Sequence, residues 1–165
     1  MQIDIAPARS THLADVLKIE QHLHTLADPD FGPILSPHCW TAEDFTDHIE
    51  SGDVLYVATE GPVVGGFFLL TIAREEWIVS RFSIHPDYRQ VGFASTILDW
   101  LAQHIPKKIR RLTVLTPDAR EWEGQHQFFS RRHFKSKLLP SHYSADLDAI
   151  AFFRTAPFPT SFPAR

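Results

Sequence analysis

The sequence predicts an α/β (α+β) fold: a mixed, mostly antiparallel sheet of six or seven strands flanked by about four helices. Three observations carry that expectation. Segments of strand-like and helical periodicity follow one another in the order βααβββαβαββ. The 165 residues are 44% hydrophobic and 22% charged, the balance of one globular domain with a sizeable core. An apolar strand at 77–84 leads through a helix to a second strand at 110–116, and strands joined by such a crossover lie parallel.

Residues 2–6 alternate enough to form a first strand. Over 10–26, Leu13, Val16, Leu17, Ile19, Leu23 and Leu26 recur at helical spacing. Asp28-Pro29-Asp30-Phe31-Gly32-Pro33 breaks that helix, and a loop is expected as far as Trp40. Thr41 reads as an N-cap with Glu43 and Asp44 in the first turn, and Gly52 suits the end of that helix. Val54 to Thr59 and Val63 to Ala73 form a hairpin around Glu60-Gly61-Pro62, with Gly65-Gly66 marking a bulge or a close approach. A helix over 92–105 turns Phe93, Ile97, Leu98 and Leu101 inward, and Pro106 ends it. A further helix is expected over 119–132, followed by an antiparallel pair at 135–139 and 146–154. The domain is expected to span 1–156, and the Pro-rich tail 157–165 to lie extended or disordered.

Charge and cysteine content narrow the function. A formal net charge of −4 argues against sequence-independent nucleic-acid binding, which needs clustered cations to neutralise phosphates. Lys107, Lys108, Arg110 and Arg111, like Arg131, Arg132, Lys135 and Lys137, read first as solvated ends of elements. Cys39 is the single cysteine, so neither an internal disulfide nor a cysteine metal site is expected. No apolar stretch reaches bilayer length and Met1-Gln2-Ile3-Asp4 is no basic leader, so the expected place is the cytoplasm, with no membrane partner. A metal reading of His22, His24 and His38 with Asp28 and Asp30 is disfavoured, because His22 and His24 diverge on a helix. Asp28, Asp30, Glu43 and Asp44 would attract a cationic amine, or the last two serve as helix-start acids. Phe31 and Trp40 would wall an apolar pocket or close the core.

The most informative segment is Arg89-Gln90-Val91-Gly92-Phe93-Ala94, where a strand and short loop open into a small-residue helix start. The first turn of a helix has unpaired N–H donors at its positive end, so a phosphate can rest there without a cationic side chain. With the residues before it, Ile84-His85-Pro86-Asp87-Tyr88-Arg89-Gln90-Val91-Gly92-Phe93-Ala94 resembles the acyl-CoA-binding motif of the GNAT acyltransferase superfamily, V-x-P-x-[YF]-R-x-x-G-[IF]-[GA]. The order of segments over 1–155 is similar as well. The resemblance implies a GNAT fold whose parallel central strands splay apart, with acetyl-CoA as cosubstrate and no metal. It implies that Arg89, Gln90, Val91, Gly92, Phe93 and Ala94 hold the pyrophosphate. Phe82, Ser83 and Ile84 would lie along the thioester and pantetheine, with a Phe82 or Ile84 amide as oxyanion donor. Some of the basic residues would then flank the 3′-phosphate of CoA.

Acyl transfer to an amine also needs a neutral acceptor and a proton for the departing thiolate. Candidate bases are Glu75 and Glu76 at the start of the central strand and Ser83 facing the cleft; His85 titrates in the useful range but is common before that proline without catalytic duty. The family's thiolate-side tyrosine, in F-Y-x-x-x-G-F, aligns with Phe129 in Phe128-Phe129-Ser130-Arg131-Arg132-His133-Phe134, and its upstream asparagine with Trp122. The hydroxyl is thus missing where the pattern has one. Solvent protonates the thiolate, or Tyr143, His126 or Ser130 reaches it, or the domain binds acyl-CoA without turnover. The resemblance therefore implies an N-acetyltransferase acting on a primary amine of a small molecule or peptide, as monomer or homodimer. A non-catalytic acyl-CoA-binding or partner-binding module, or a toxin-like acetyltransferase of aminoacyl-tRNA, are the alternatives.

Overall fold

The computed structural model describes residues 2–28, 32–35 and 39–163, with side chains of 26–28 and 32–35 outside the description. The elements are β1 (Asp4–Pro7), α1 (Leu13–His24), β2 (Thr25–Asp28), β3 (Gly32–Leu35), α2 (Ala42–Ser51), β4 (Val54–Glu60), β5 (Val63–Ile72), β6 (Glu76–Ile84), α3 (Phe93–His104), β7 (Arg111–Pro117), α4 (Glu123–Ser130), β8 (Lys135–Ser144) and β9 (Leu147–Thr155). Single 3-10 turns precede α1, α3 and α4. Seven strands form one mixed sheet in the order β1-β4-β5-β6-β7-β9-β8. β6 and β7 are parallel, whereas β1 with β4, β7 with β9, and β8 with β9 run antiparallel. Among the described residues no helix is long and apolar enough to cross a membrane.

Two expectations change. The segment read as a loop before Trp40 contains the antiparallel pair β2–β3, in register from Thr25↔Leu35 to Asp28↔Gly32. α1 stops at His24 because Thr25 turns extended (φ −79°, ψ 118°) and its hydroxyl donates to the Gln21 carbonyl at the helix end. The turn between these strands, with Asp30 and Phe31, lies outside the described residues, as does His38. The tail also differs, since Phe162 is buried. Its N–H donates to Asp99 Oδ1 at 2.8 Å, and its ring packs on Phe134 and under the Arg154 guanidinium.

The chain forms two compact units, whose boundaries fall inside β5 and β6: Met1–Phe68 with Ser83–Thr96, and Leu69–Phe82 with Ile97–Arg165. In the first, Val16, Ile19, Phe45, Leu55, Val57, Phe67 and Phe93 make the core. α2 begins with the expected capping box, Thr41 accepting from the Asp44 amide while the Asp44 carboxylate accepts from Thr41 N–H, and ends on left-handed Gly52 (φ 76°). Gly65 is a close approach: a Cβ there would lie 2.4 Å from the Phe93 ring. In the second unit, Val79, Phe82, Ile97, Leu98, Leu101, Leu112, Val114, Phe129 and Phe152 are buried.

Candidate functional site

In the first unit, β6 runs out at Ile84 and the chain makes the 3-10 turn Pro86–Tyr88, capped by His85 Nδ1, which accepts from the Asp87 amide at 3.2 Å. The Arg89 amide closes this turn onto the Pro86 carbonyl. Gln90 (φ 65°) and Gly92 (φ 104°) are both left-handed, with Val91 between them at ordinary φ. Such alternation turns successive N–H groups to one side, the geometry of an anion-binding concavity. The first bond at the start of α3 joins Thr96 N–H to the Gly92 carbonyl, so the Phe93 and Ala94 amides precede the ladder. Arg89, Gln90 and Val91 are exposed, while the Phe93 ring is fully buried and anchors the helix start.

Behind β6, a polar cluster lies under α1. Glu20 is fully buried, and its Oε2 accepts from the Trp40 amide at 3.1 Å and sits 3.5 Å from buried His24 Nε2. Ser83, also buried, directs its hydroxyl to Glu20 Oε1 at 3.5 Å. Two residues further along the strand, His85 meets the edge of the His22 ring, centroids 4.6 Å apart. Burial foremost, and then the neighbouring His22, hold the His85 imidazole below its ordinary pKa, against the opposing pull of Asp87. With Nδ1 accepting from the Asp87 amide, neutral His85 carries its proton on Nε2. The sequence reading missed Glu20. The signal was there: four residues after Val16 and four before His24, a carboxylate stands in the apolar stripe of α1.

In the second unit, the parallel ladder runs from Glu76↔Arg111 to Val79↔Val114. Beyond it the Phe82 carbonyl accepts from Gln125 Nε2 of α4. The Phe82 ring packs against Phe128 and Phe129. Phe129 is fully buried and meets Phe134 and Phe152 as well, so at the position of the family's tyrosine stands a core residue. Tyr143, on the irregular stretch of β8 between Leu139 and Ser144, is half-buried. Burial pushes its phenol up to about 12, with Arg81 pulling the other way. His126 is held by its Nε2–H, which donates to the Pro117 carbonyl at 2.9 Å, and Ser130 is exposed.

The structure does not bring Glu75 and Glu76 to Phe82. Six residues of extended strand separate Glu76 from Phe82, about 20 Å. Glu76 is instead engaged at the paired end of the ladder, accepting from Thr113 Oγ1 at 2.6 Å and ion-paired with Arg111 Nε at 3.3 Å. The exposed Glu75 contributes its carbonyl, which takes the Arg110 and Arg111 amides. Asp44 is committed to the α2 cap, and Trp40 packs on Phe67 and His48 in the core of the first unit. Among the described residues no three His, Cys, Asp or Glu side chains are grouped to hold a metal ion.

A family model described as acetyltransferase (GNAT) matches residues 20–134, more than half of the chain. The chain belongs to the GNAT acetyltransferase family. No curated protein matches it at the level of sequence. Solved structures share the GNAT fold over nearly its whole length. Ard1 from Thermoplasma volcanium is similar at 18% identity and TM-score 0.73, over 94% of this chain and 99% of that one. The ribosomal-protein-S18-alanine N-acetyltransferase of Escherichia coli is 16% identical with TM-score 0.67, over 99% and 97%. The yncA protein of Salmonella typhimurium, solved with its cofactor acetyl-CoA, is 16% identical with TM-score 0.65, over 94% of each chain.

Proposed function

We propose that this GNAT protein is an N-acetyltransferase that moves the acetyl group of acetyl-CoA to a primary amine of a small molecule or peptide. The observation that carries the reading is the passage from β6 into α3. A central strand leaves its parallel partner after Val79 and leads directly into a left-handed, glycine-bearing turn with helix-start amides. The amides around Gln90–Ala94 would hold the pyrophosphate, and the backbone at Phe82–Ile84 would lie along the thioester. Attack by the amine forms the C–N bond and places negative charge on the carbonyl oxygen, which a fixed amide donor on β6 stabilises. The C–S bond then breaks, and solvent protonates the departing thiolate.

The test is titration calorimetry with acetyl-CoA together with thiol release over a panel of amines and peptides. Gly92→Glu forces a side chain into a φ of 104° and adds a negative charge beside the cradle. It is expected to abolish acetyl-CoA binding while the protein stays folded by circular dichroism; unchanged affinity would refute the cradle. A second reading is favoured by one observation, the buried Phe129 in place of a hydroxyl: a module that binds acyl-CoA without turnover. Tight acetyl-CoA binding with no thiol release from any acceptor would select it.

A further inference from the structure

Of the polar groups outside the cradle, Glu20 is the one whose place asks for a reason. A fully buried carboxylate loses its hydration and persists only where donors replace it. Here the Trp40 amide before α2 and the Ser83 hydroxyl on β6 donate, and His24 Nε2, one turn along α1, stands 3.5 Å away. A hydroxyl that donates to a carboxylate turns its lone pairs away from it, so Ser83 is left as an acceptor toward whatever approaches β6. Ser83 directly follows Phe82, in the strand segment along which the thioester is placed.

We propose that Ser83 and Glu20 form a proton relay for the attacking amine, an inference that rests on the acetyl-transfer reading above. The neutral amine attacks the thioester carbonyl carbon and the C–N bond forms. Its N–H proton passes to Ser83 Oγ as the Ser83 proton passes to Glu20 Oε1. The C–S bond breaks and the thiolate takes a proton from solvent. Once the product amide leaves, Glu20 returns the acquired proton to Ser83 as Ser83 releases its own to solvent, so the enzyme returns to its starting state. Ser83 touches the substrate; Glu20 acts through it and is a positioning residue. The Ser83–Glu20 separation of 3.5 Å is long for such a bond, as catalytic hydrogen bonds often are before the acceptor arrives. His24 on α1 stands 3.5 Å from Glu20, and His85, just past β6, meets His22 of α1.

Glu20→Gln keeps an oxygen for the Trp40 amide but cannot take a proton, and Ser83→Ala removes the relay hydroxyl. With the amine that the wild type turns over fastest, each is expected to lower kcat about a hundredfold or more, with the KM for acetyl-CoA unchanged. The double variant should be no slower than the slower single one, because the two act as a unit. The solvent isotope effect on kcat should shrink in both singles, a change that a merely structural role would not produce. Wild-type kcat in Glu20→Gln, or multiplicative losses with an unchanged isotope effect, would overturn the relay. Should Glu20→Gln fail to fold, Ser83→Ala against Ser83→Thr decides: loss in the first and recovery in the second support it, and full activity of the first refutes it. If the wild type binds acetyl-CoA but releases no thiol with any amine, the transferase reading itself fails and the relay falls with it.

Discussion

At the scale of single residues, the Tyr143 side chain is one whose protonation is set by its burial. Its phenol is raised from 10 to about 12 by burial. The native state therefore keeps this proton between pH 10 and 12 while the unfolded chain loses it, so folding stability falls with rising pH across that window. Tyr143→Phe should remove this part of the alkaline slope, and the phenol that ionises near 12 should vanish from the ultraviolet titration. A titration with all three tyrosines ionising near 10 would contradict the environment described here. His85 moves in the opposite sense. Its lowered pKa means that the unfolded chain takes up a proton first as pH falls below the ordinary histidine value, so its burial costs stability on the acid side.

At the scale of elements, the meeting of β5 with α3 depends on the missing side chain of Gly65. A Cβ there would come 2.4 and 2.5 Å from two carbons of a Phe93 ring that is fully buried and has nowhere to go. Gly65→Ala should therefore destabilise the fold by about 1–3 kcal/mol in chemical denaturation. Adding Phe93→Leu, which deletes the clashing ring edge, should recover part of that loss; strictly additive losses would show that the two positions are not in contact. This packing explains what was legible in the sequence and what was not. The Gly65-Gly66 pair announced a close approach, and the passage from strand through turn to helix start at 84–94 was readable because it is contiguous and its Gly92 is required by backbone geometry. β2 and β3 were not readable: the Asp28–Pro33 punctuation marked the break, but Thr25 and Leu26 continued the helical spacing of 10–26 and the flank after the break is too short to show a strand period. Glu75 and Glu76 were read as candidate bases from their place at the start of the central strand, and an extended strand puts six residues, about 20 Å, between Glu76 and Phe82. Glu20 was hidden for the opposite reason, since its partner Ser83 is 63 residues away in sequence.

At the scale of the whole molecule, the domain continues into the segment set apart as a tail. Residues 157–163 belong to the second compact unit, and what holds them is one aromatic side chain. Phe162 is 2% exposed, packs with its ring tilted against Phe134 at 5.4 Å, lies 5.1 Å from the Arg154 guanidinium, and ties its amide to Asp99 of α3. Three prolines in this segment restrict the unfolded chain, so docking it loses less conformational freedom than an ordinary terminus would. The hydrophobic gain of one buried phenylalanine can then outweigh the ordering cost. Phe162→Ala should cost about 3 kcal/mol, the lower end for such a truncation because the segment around it can relax. For a chain of 165 residues that corresponds to a fall in melting temperature of roughly 6–12 °C. The cradle and the Ser83–Glu20 pair belong to the other unit, so acetyl-CoA affinity measured by calorimetry below the transition should stay at the wild-type value. An unchanged melting temperature would mean that the tail is an ornament. A lost affinity would mean that Phe162 supports the site as well as the fold.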